Sequence, residues 1–414
     1  MTTTVFPRRR RSGTATWHMS RQAVDLSLEA VFGMSDRDCL DLLVEARWGH
    51  PSTIGCPHCG TISRHAWRRY DNRWKCRACE KTFSITSGTV FADRKLRLQE
   101  LIGAVLLWLN SAGGQPALEL KRHANKSYNT VFTLQHKLRE ALVRGYNVGL
   151  LNGDIEVDGA HQSGWRSAEK RSRPQVSKPF DDKTSEGQLN AALLTGSAKM
   201  TARRQKRTPG AVHDVDTGRV LPPDRRLLIA VRKRSGRKGV GAIGTRVAIG
   251  KREDSEVLKA VFRDFVSVSE STLNTDTLST YRELGRDFRG HRTVEHTETM
   301  RGPNGENNNQ AEELNGRFDR AEKGTYLNIE PKYLLDYAVE TAFRSDTRRL
   351  SNGAQLKLLL AVALNVGVSQ YWRGFTRGRH RSQELLHPQA EPARASGPAK
   401  GRHPTSSANN RPPR

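Results

Sequence analysis

Four of the five cysteines form two close pairs in one short segment: Cys56 and Cys59, then Cys76 and Cys79. Two residues separate the members of each pair, and sixteen residues separate the pairs. This spacing lets two short turns present four thiolates to one tetrahedral Zn²⁺ in a closed structural site. An iron–sulfur site is the alternative. We therefore expect one structural zinc ion per chain, with His58 outside the filled ligand shell and Cys39 as a buried apolar residue.

Three acidic groups further along the chain could hold catalytic metal ions. Asp158 closes the predicted strand Ile155–Asp158, and Asp276 ends a second predicted strand about 120 residues later. A predicted helix beginning near Asn309 carries Glu312 one turn later on the same face. Carboxylates on two strands and a flanking helix can hold two Mg²⁺ or Mn²⁺ ions roughly 3.5–4 Å apart, for displacement at phosphorus. A strand-end aspartate alone is more often a turn residue, so the hypothesis depends on all three groups.

Helices are predicted on both sides of the cysteine segment. Ser35 is a candidate N-cap for the first long helix, and a shorter turn precedes it around Leu28. The spacing of apolar residues predicts four helices in this part of the chain: Ser35–Arg47, Leu98–Leu109, Pro116–His123 and Tyr128–Val143.

The elements that would position the carboxylates alternate between strands and helices. Aliphatic and β-branched runs predict strands at Ile155–Asp158, Leu227–Val231, Thr245–Ile249, Ser271–Asp276 and Thr293–His296. Helical spacing predicts helices at Ser255–Phe265, Asn309–Glu322, Pro331–Arg344 and Gln355–Val366. A basic, turn-rich insert at 163–226 separates the first two strands, and its length indicates a functional loop or partial disorder.

Two of the predicted helices suggest a helix-turn-helix, with residues 127–139 as the recognition helix. Its polar side chains could reach base edges or phosphates: Asn129, Thr130, Thr133, Gln135 and Lys137. Arg320, on the same helix as Glu312, is a further DNA-binding candidate. The alternative is an ordinary helical hairpin packed on the cysteine module.

The charge of the chain favours a polyanionic partner. Lys and Arg total 69 against 43 Asp and Glu, a formal net charge of +26. Neutralising phosphates releases counterions, so double-stranded DNA is the expected partner, although an RNA-binding or ribosome-associated protein has the same signature. No apolar run approaches the roughly 20 residues that span a bilayer, and no apolar core follows the N-terminal arginines. We expect a prokaryotic cytoplasmic protein on the nucleoid, with no membrane partner.

Several motifs resemble those of one family of mobile-element enzymes. The cysteine segment contains CPHCG at 56–60, CRAC at 76–79 and FSITSGTVF at 83–91. Downstream lie IEVDGA at 155–160, DT at 276–277, NQAE at 309–312, GTY at 324–326, PKYL at 331–334 and FR at 343–344. Across about residues 25–346, the chain resembles the insertion-sequence DDE-type transposases of the ISXO2-like group in the IS1595 family, with their N-terminal zinc ribbon.

The resemblance implies a ribonuclease-H-like catalytic domain. Such a domain would cleave and join strands at the terminal inverted repeats of its own element and at target DNA. It also implies that Asp158 and Asp276 are the first two acidic ligands, with Asn309 or Glu312 as the third. We favour Glu312, because a carboxylate neutralises a divalent cation and an amide does not. The resemblance further places His296 near the scissile phosphate.

Two features depart from the family pattern. The family usually has a lysine some seven residues beyond the glutamate, and this chain has Asp319 there, with Arg320 next to it. A planar guanidinium is not equivalent to an ammonium point charge. The basic insert at 163–226 is also longer than the family pattern requires.

The expected fold class is α/β: a ribonuclease-H-like catalytic domain preceded by a zinc ribbon and a helix-turn-helix-like DNA-binding region. The predicted organisation is a disordered basic arm (1–24), an N-terminal helix with the zinc ribbon (25–95), the helix-turn-helix-like region (96–150), the catalytic domain (151–346), a C-terminal helix (347–372) and a disordered basic tail (373–414). We expect divalent-metal-dependent strand transfer by a homo-oligomer on DNA. The competing hypotheses are a zinc-ribbon regulator or inactive copy that binds DNA without catalysis, and a nuclease that cleaves without joining.

Overall fold

The computed structural model describes residues 20–163, 225–237, 240–294 and 308–387, together with Trp17 and a short strand pair at 212–213 and 220–221. Most of the predicted basic arm, nearly all of the predicted insert, His296 and the end of the predicted tail lie outside the described residues.

The helices of the described residues follow the predicted order closely. They are α1 (Leu28–Gly33), α2 (Asp36–Trp48), α3 (Leu98–Asn110), α4 (Ala117–Ala124), α5 (Tyr128–Gly145), α6 (Ser255–Phe265), α7 (Ser279–Leu284), α8 (Asn309–Arg320), α9 (Leu334–Thr347) and α10 (Asn352–Asn365). A π-helical turn, Ala321–Tyr326, extends α8. In the described part of the chain, none of these helices has both the length and the apolarity that crossing a bilayer requires.

The strands form a small N-terminal sheet, a main sheet and a separate short pair. They are β1 (Ala66–Arg68), β2 (Arg73–Lys75), β3 (Thr82–Phe83), β4 (Leu151–Ser163), β5 (Val212–His213), β6 (Val220–Leu221), β7 (Arg225–Arg234), β8 (Ala242–Gly250), β9 (Val266–Thr275) and β10 (Gly290–Thr293). The last of these begins three residues earlier than predicted, because its four residues pair in parallel with the end of β9.

Capping and apolar spacing account for the first helices. The hydroxyl of Ser35 accepts a hydrogen bond from the amide of Asp38, whose carboxylate accepts one from the amide of Ser35. The helix α2 therefore begins with a capping box at the predicted N-cap. The helix α3 is buried on nearly every side, including the whole of Trp108, as expected for a helix at the centre of a core.

One hydrophobic core joins the cysteine module, the helices and one face of the main sheet. The helix α10 packs against α2, α3 and α5, while α9 packs against α5 and β8. The C-terminal helix therefore completes the N-terminal helical region, and the core crosses the boundaries predicted between domains.

The main sheet is mixed, with the strand order β10-β9-β4-β7-β8. The strand β7 is antiparallel to both β4 and β8, whereas β9 runs parallel to β4 and β10 parallel to β9. Ile155 and Val157 of β4 enter a second core with α6. Because side chains alternate along a strand, Glu156 and Asp158 face the other side of the sheet, where α8 lies.

Residues 373–387, predicted to belong to a disordered tail, are packed onto the fold. The guanidinium of Arg381 pairs with the buried carboxylate of Asp336. Glu384 pairs with Arg226 at 2.7 Å, and the amide of His387 donates to a carbonyl of β8 at 2.7 Å. The prediction is wrong for this segment, because buried ion pairs and a backbone hydrogen bond anchor a stretch whose composition indicates disorder.

Candidate metal centres and DNA-binding region

The four paired cysteines come together beside the small sheet of β1, β2 and β3. Their Sγ atoms all lie within 4.8 Å of one another, with 3.7 Å between Cys56 and Cys79 and 3.7 Å between Cys59 and Cys76. Four sulfurs about 2.3 Å from a tetrahedral zinc ion are separated by roughly 3.8 Å. The cluster therefore fits a structural Zn²⁺.

Two matching turns hold the thiolates in place. The amide of His58 donates to Sγ of Cys56 and the amide of Ala78 donates to Sγ of Cys76, each at 3.4 Å. The side chain of His58 is exposed. Cys39 is fully buried in α2, and burial raises the pKa of its thiol, which agrees with the apolar role predicted for it.

The register of β4 on β9 places two aspartates side by side. Glu156 pairs with Asn274, and Asp158 and Asp276 each lie two residues further along. Asp276 follows β9 directly, as predicted. Asp158 does not end its strand: β4 continues to Ser163, because its later residues pair with β7. The prediction that Asp158 closes a strand is therefore wrong, and the parallel register brings the aspartates together.

Two contacts attach α8 to β4. The carboxylate of Glu156 accepts hydrogen bonds from the first free amides of α8, including that of Gln310 at 2.6 Å. An anion at a helix N-terminus satisfies these donors and interacts favourably with the helix dipole. Further along α8, the side-chain amide of Asn315 donates to Oδ2 of Asp158 at 2.7 Å. These contacts hold the helix that carries Glu312 beside Asp158.

Four carboxylates form an acidic cluster around this contact: Asp158, Glu253, Asp276 and Glu312. The pKa of Asp158 is raised to about 7, mainly by burial, and the hydrogen bond from Asn315 acts against this shift. Repulsion from the other three carboxylates raises it further. A divalent cation relieves such repulsion, and hard cations such as Mg²⁺ prefer carboxylate oxygens. Among the described residues, only the four paired cysteines bring their ligand atoms within 4.8 Å of one another, so the acidic cluster is a candidate site for Mg²⁺ or Mn²⁺ that is defined by its charges.

Glu253 belongs to the acidic cluster but is not among the carboxylates predicted from the sequence. It lies between β8 and Asp254, the N-cap of α6, and the buried hydroxyl of Tyr281 donates a hydrogen bond to it. A Cβ atom at position 159 would lie 2.7 Å from its carboxyl carbon, so Gly159 leaves the room that Glu253 occupies. It stands in the charged loop 251–254, where no local pattern sets it apart from its neighbours.

The remaining predicted catalytic residues differ in their positions. Asn309 is exposed at the first position of α8, whereas Glu312, one turn later, is partly buried and acts on the charge of Asp158. His296 lies outside the described residues. Arg320 is exposed at the end of α8.

The helices α4 and α5 are joined by a short turn, as a helix-turn-helix requires. Asn125 ends α4 in the left-handed conformation, and Ser127 caps α5. Among the predicted DNA contacts of α5, one is exposed and three are partly exposed: Asn129, then Thr130, Thr133 and Lys137.

Gln135 does not belong to an exposed face of α5. It is buried, and its side-chain amide donates to the carbonyl of Gln115 at 3.0 Å. Its predicted contact with DNA is therefore wrong, because the side chain is used to hold the loop before α4. The exposed part of α5 is limited to its start and to one partly covered face.

Comparison with known protein families matches two segments of the chain. A transposase zinc-ribbon domain model matches residues 34–82, and an ISXO2-like transposase domain model matches residues 190–346. The first match contains the four paired cysteines. The second contains Glu253, Asp276 and Glu312, whereas Asp158 precedes it.

A curated relative belongs to a mobile element. It is described as "Uncharacterized protein in transposable element ISH50" from Halobacterium salinarum, and it is 26% identical over 149 residues, 35% of this chain and 48% of the relative. The chain therefore matches about half the length of that relative. Together, these matches show an ISXO2-like transposase domain preceded by a transposase zinc ribbon, with a distant relative in a transposable element.

Proposed function

We propose that this chain cleaves and joins DNA strands at the ends of an insertion sequence, using divalent metal ions at the acidic cluster. The observation that carries the proposal is the convergence of Asp158 on β4, Asp276 after β9 and Glu312 on α8. The match to an ISXO2-like transposase domain supports phosphoryl transfer on DNA. The order of three antiparallel strands followed by two parallel ones supports a ribonuclease-H-like fold for residues 151–346.

Each carboxylate has a defined part in this proposal. Asp158, Asp276 and Glu312 would hold the metal ions, with Glu253 adding negative charge at the same place. Bound there, two divalent ions supply an activated oxygen nucleophile and stabilise the leaving oxygen at phosphorus. We assign the third ligand to Glu312 over Asn309, because Glu312 acts electrostatically on Asp158 and Asn309 is exposed.

The residues around the carboxylates preorganise them. Glu156 fixes the start of α8 and Asn315 fixes its middle, so the position of Glu312 is set before any metal binds. Preorganised charges stabilise a transition state without reorganisation during the reaction.

DNA binding is divided between two kinds of contact. We assign sequence-independent affinity to the basic surface of a chain with a net charge of +26. We assign base contacts to the exposed start of α5, with Asn129 and Thr130 as its foremost side chains. Since the terminal repeats of an element occur in pairs, we expect a homo-oligomer to hold them.

The decisive experiment replaces Asp276 by asparagine. Strand cleavage and joining are measured with Mg²⁺ and duplexes that carry the inverted repeats flanking the coding sequence. Activity should fall by roughly a hundredfold or more, while repeat binding stays within about twofold, because metals stabilise the transition state and affinity comes from remote basic contacts.

Asp154→Asn is the matched control for this experiment. Asp154 lies on β4, is about half exposed, and pairs with Arg292 at 3.6 Å. Its replacement should leave both activity and binding unchanged. Full joining activity in Asp276→Asn would overturn the proposal.

A second candidate is a copy that binds the repeats without catalysis. It is favoured by Asp319, which stands where related transposases usually have a lysine and which pairs with Lys323 at 2.6 Å. Tight binding of intact repeats by the wild-type chain, without any cleavage or joining in Mg²⁺ or Mn²⁺, would establish it.

A further inference from the structure

A basic cavity lies where the helical region meets the end of α8. Its volume is about 570 Å³, and its walls are the loop after α3, the end of α8, the middle of α9 and the start of α10. The loop contributes Gly113 and Gly114, and Gly114 packs so closely on Tyr326 that a Cβ atom there would lie 2.6 Å from Cζ of that ring. The charged residues among its described lining are four arginines and one glutamate: Arg317, Arg320, Arg344, Arg348 and Glu340.

The glutamate in this basic cavity is already neutralised from within the fold. Glu340 is fully buried and pairs with Arg139 at 2.6 Å and Arg344 at 2.8 Å, and it accepts a hydrogen bond from Tyr326 at 2.9 Å. Its charge is therefore compensated on the interior side. The basic cavity keeps a net positive charge from its arginines.

The arginines have different parts in the basic cavity. All five N–H groups of Arg344 are engaged, with Glu340 and with carbonyl oxygens at the end of α3, so this residue builds the wall. Arg317 binds Glu313 through Nε and Nη2, which leaves the N–H groups of Nη1 available within the described part of the chain. Arg320 is exposed at the rim.

The interior side of the basic cavity also carries uncompensated positive charge. Burial lowers the pKa of Arg348, and the neighbouring guanidinium groups of Arg232 and Arg317 lower it further, against the attraction of Glu313. Within the described part of the chain, two of the N–H groups of Arg348 have partners, the carbonyls of Ser345 and Val240. The basic cavity thus offers several free guanidinium donors in a positive environment, the arrangement that recognises phosphate.

We propose that the basic cavity binds a backbone phosphate of the DNA strand held at the acidic cluster. The inference rests on the proposed function, because both sites share α8. A rise of about 1.5 Å per residue puts Arg320 about 12 Å from Glu312 along the helix. In this proposal the duplex axis runs along α8, and because a strand advances about 3.4 Å along that axis per nucleotide, the bound phosphate lies roughly three to four nucleotides from the scissile one.

The first test measures the salt dependence of binding to a short duplex of arbitrary sequence. Removing one phosphate contact lowers the slope of log affinity against log salt by about one, so Arg317→Ala with Arg320→Ala should show this reduction. The matched control is Lys259→Ala with Arg263→Ala, which removes two exposed cations from α6, the helix packed on the opposite sheet face. Equal slopes in the two double variants would overturn the proposal.

A charge-preserving variant separates electrostatics from folding. Arg317→Lys with Arg320→Lys keeps both charges and should keep the wild-type slope. Loss of the slope in this variant as well would show that the alanine result reflects altered structure, and it would count against the phosphate contact.

The second test locates the bound phosphate. In repeat-bearing duplexes, neutral methylphosphonates replace the phosphates one at a time. The affinity of the wild-type protein should fall when the third or fourth phosphate from the scissile one is neutral. The affinity of the alanine double variant should not change when the same phosphates are neutral. A profile that is identical in both proteins would refute the location.

Inorganic pyrophosphate tests whether the basic cavity binds a free small anion instead of DNA. Calorimetric binding of pyrophosphate that disappears in the alanine double variant, with DNA affinity unchanged, would assign the basic cavity to a free anion instead of DNA. The two proposals can fail separately. If Asp276→Asn loses joining while the alanine double variant keeps the wild-type salt slope, the proposed function stands and only the phosphate site in the basic cavity is rejected.

Discussion

Replacing Asp158 by asparagine should make the metal-free protein more stable while it removes strand transfer. The carboxylate of Asp158 is partly buried and is repelled by three other carboxylates, with Asn315 as its hydrogen-bond donor. An asparagine of the same shape keeps an oxygen that Asn315 can reach and carries no charge. The residue that the proposed reaction needs is therefore also one that destabilises the empty site.

The size of the effect follows from the pKa of Asp158. It is about 7 in the folded chain, against an ordinary value of 3.8, and at about 1.36 kcal/mol per pH unit this difference corresponds to roughly 4 kcal/mol. Because the folded pKa is the higher one, the stability from this group is intact below about pH 4 and fully lost above about pH 7. Since polarisable surroundings reduce such energies, we expect Asp158→Asn to gain between about 1 and 4 kcal/mol at pH 8.

The assay is thermal unfolding of the full chain in buffer without Mg²⁺ and without chelator, so that zinc stays bound. The advantage of Asp158→Asn should be largest at pH 8 and less than about half as large at pH 5. Asp154→Asn removes an exposed carboxylate from the same strand and should change stability by less than about 0.5 kcal/mol. Added Mg²⁺ should stabilise the wild-type protein by mass action and the Asp158 variant much less.

Two results would refute this reasoning. A lower melting temperature for Asp158→Asn than for wild type at pH 8 would show that the carboxylate is compensated in the folded chain. Equal stabilisation of both proteins by Mg²⁺ would show that the metal binds elsewhere.

The remaining predictions concern the zinc site, the third ligand of the catalytic metals, the contact between Gly159 and Glu253, and the salt dependence of DNA binding. Metal analysis should find one zinc per wild-type chain, and Cys76→Ser should lose it and unfold the ribbon. Glu312→Gln should lose most Mg²⁺-dependent joining and Asn309→Ala less; the reverse order would transfer the ligand role. Gly159→Ala should cost about 1–3 kcal/mol in unfolding free energy, because its methyl group displaces Glu253. Affinity for duplex DNA of arbitrary sequence should fall steeply as the salt concentration rises. An affinity that does not change with salt would exclude phosphate contacts by the basic surface.

Helix boundaries were predictable where a side chain marks them. The predicted bounds of α6 agree with the structure at both ends, and Ser35 caps α2 as expected. The packing of α10 against α2 was not predictable, because these helices are more than 300 residues apart in the sequence. Periodicity identifies a helix and its apolar face, but the partner of that face is decided by the whole chain.

The candidate site was predictable in its strand carboxylates but not in their surroundings. Apolar runs that end in acidic residues led to Asp158 and Asp276. Glu253 and Asn315 come from a loop and from mid-helix, where no local pattern sets them apart. Gln135 was predicted wrongly for a related reason, because helical spacing does not show that a polar side chain is buried against a loop.

The strand β4 shows why one buried carboxylate is structural and the next belongs to the acidic cluster. Glu156 and Asp158 share one face of β4, and burial raises the pKa of both. Glu156 meets Arg234 and the amides that begin α8, so its charge is compensated by the fold. Asp158 meets one amide from Asn315 and three carboxylates. Since an uncompensated charge away from water costs folding energy, the contrast between these two carboxylates is the reason that we propose a divalent cation beside Asp158 and none beside Glu156.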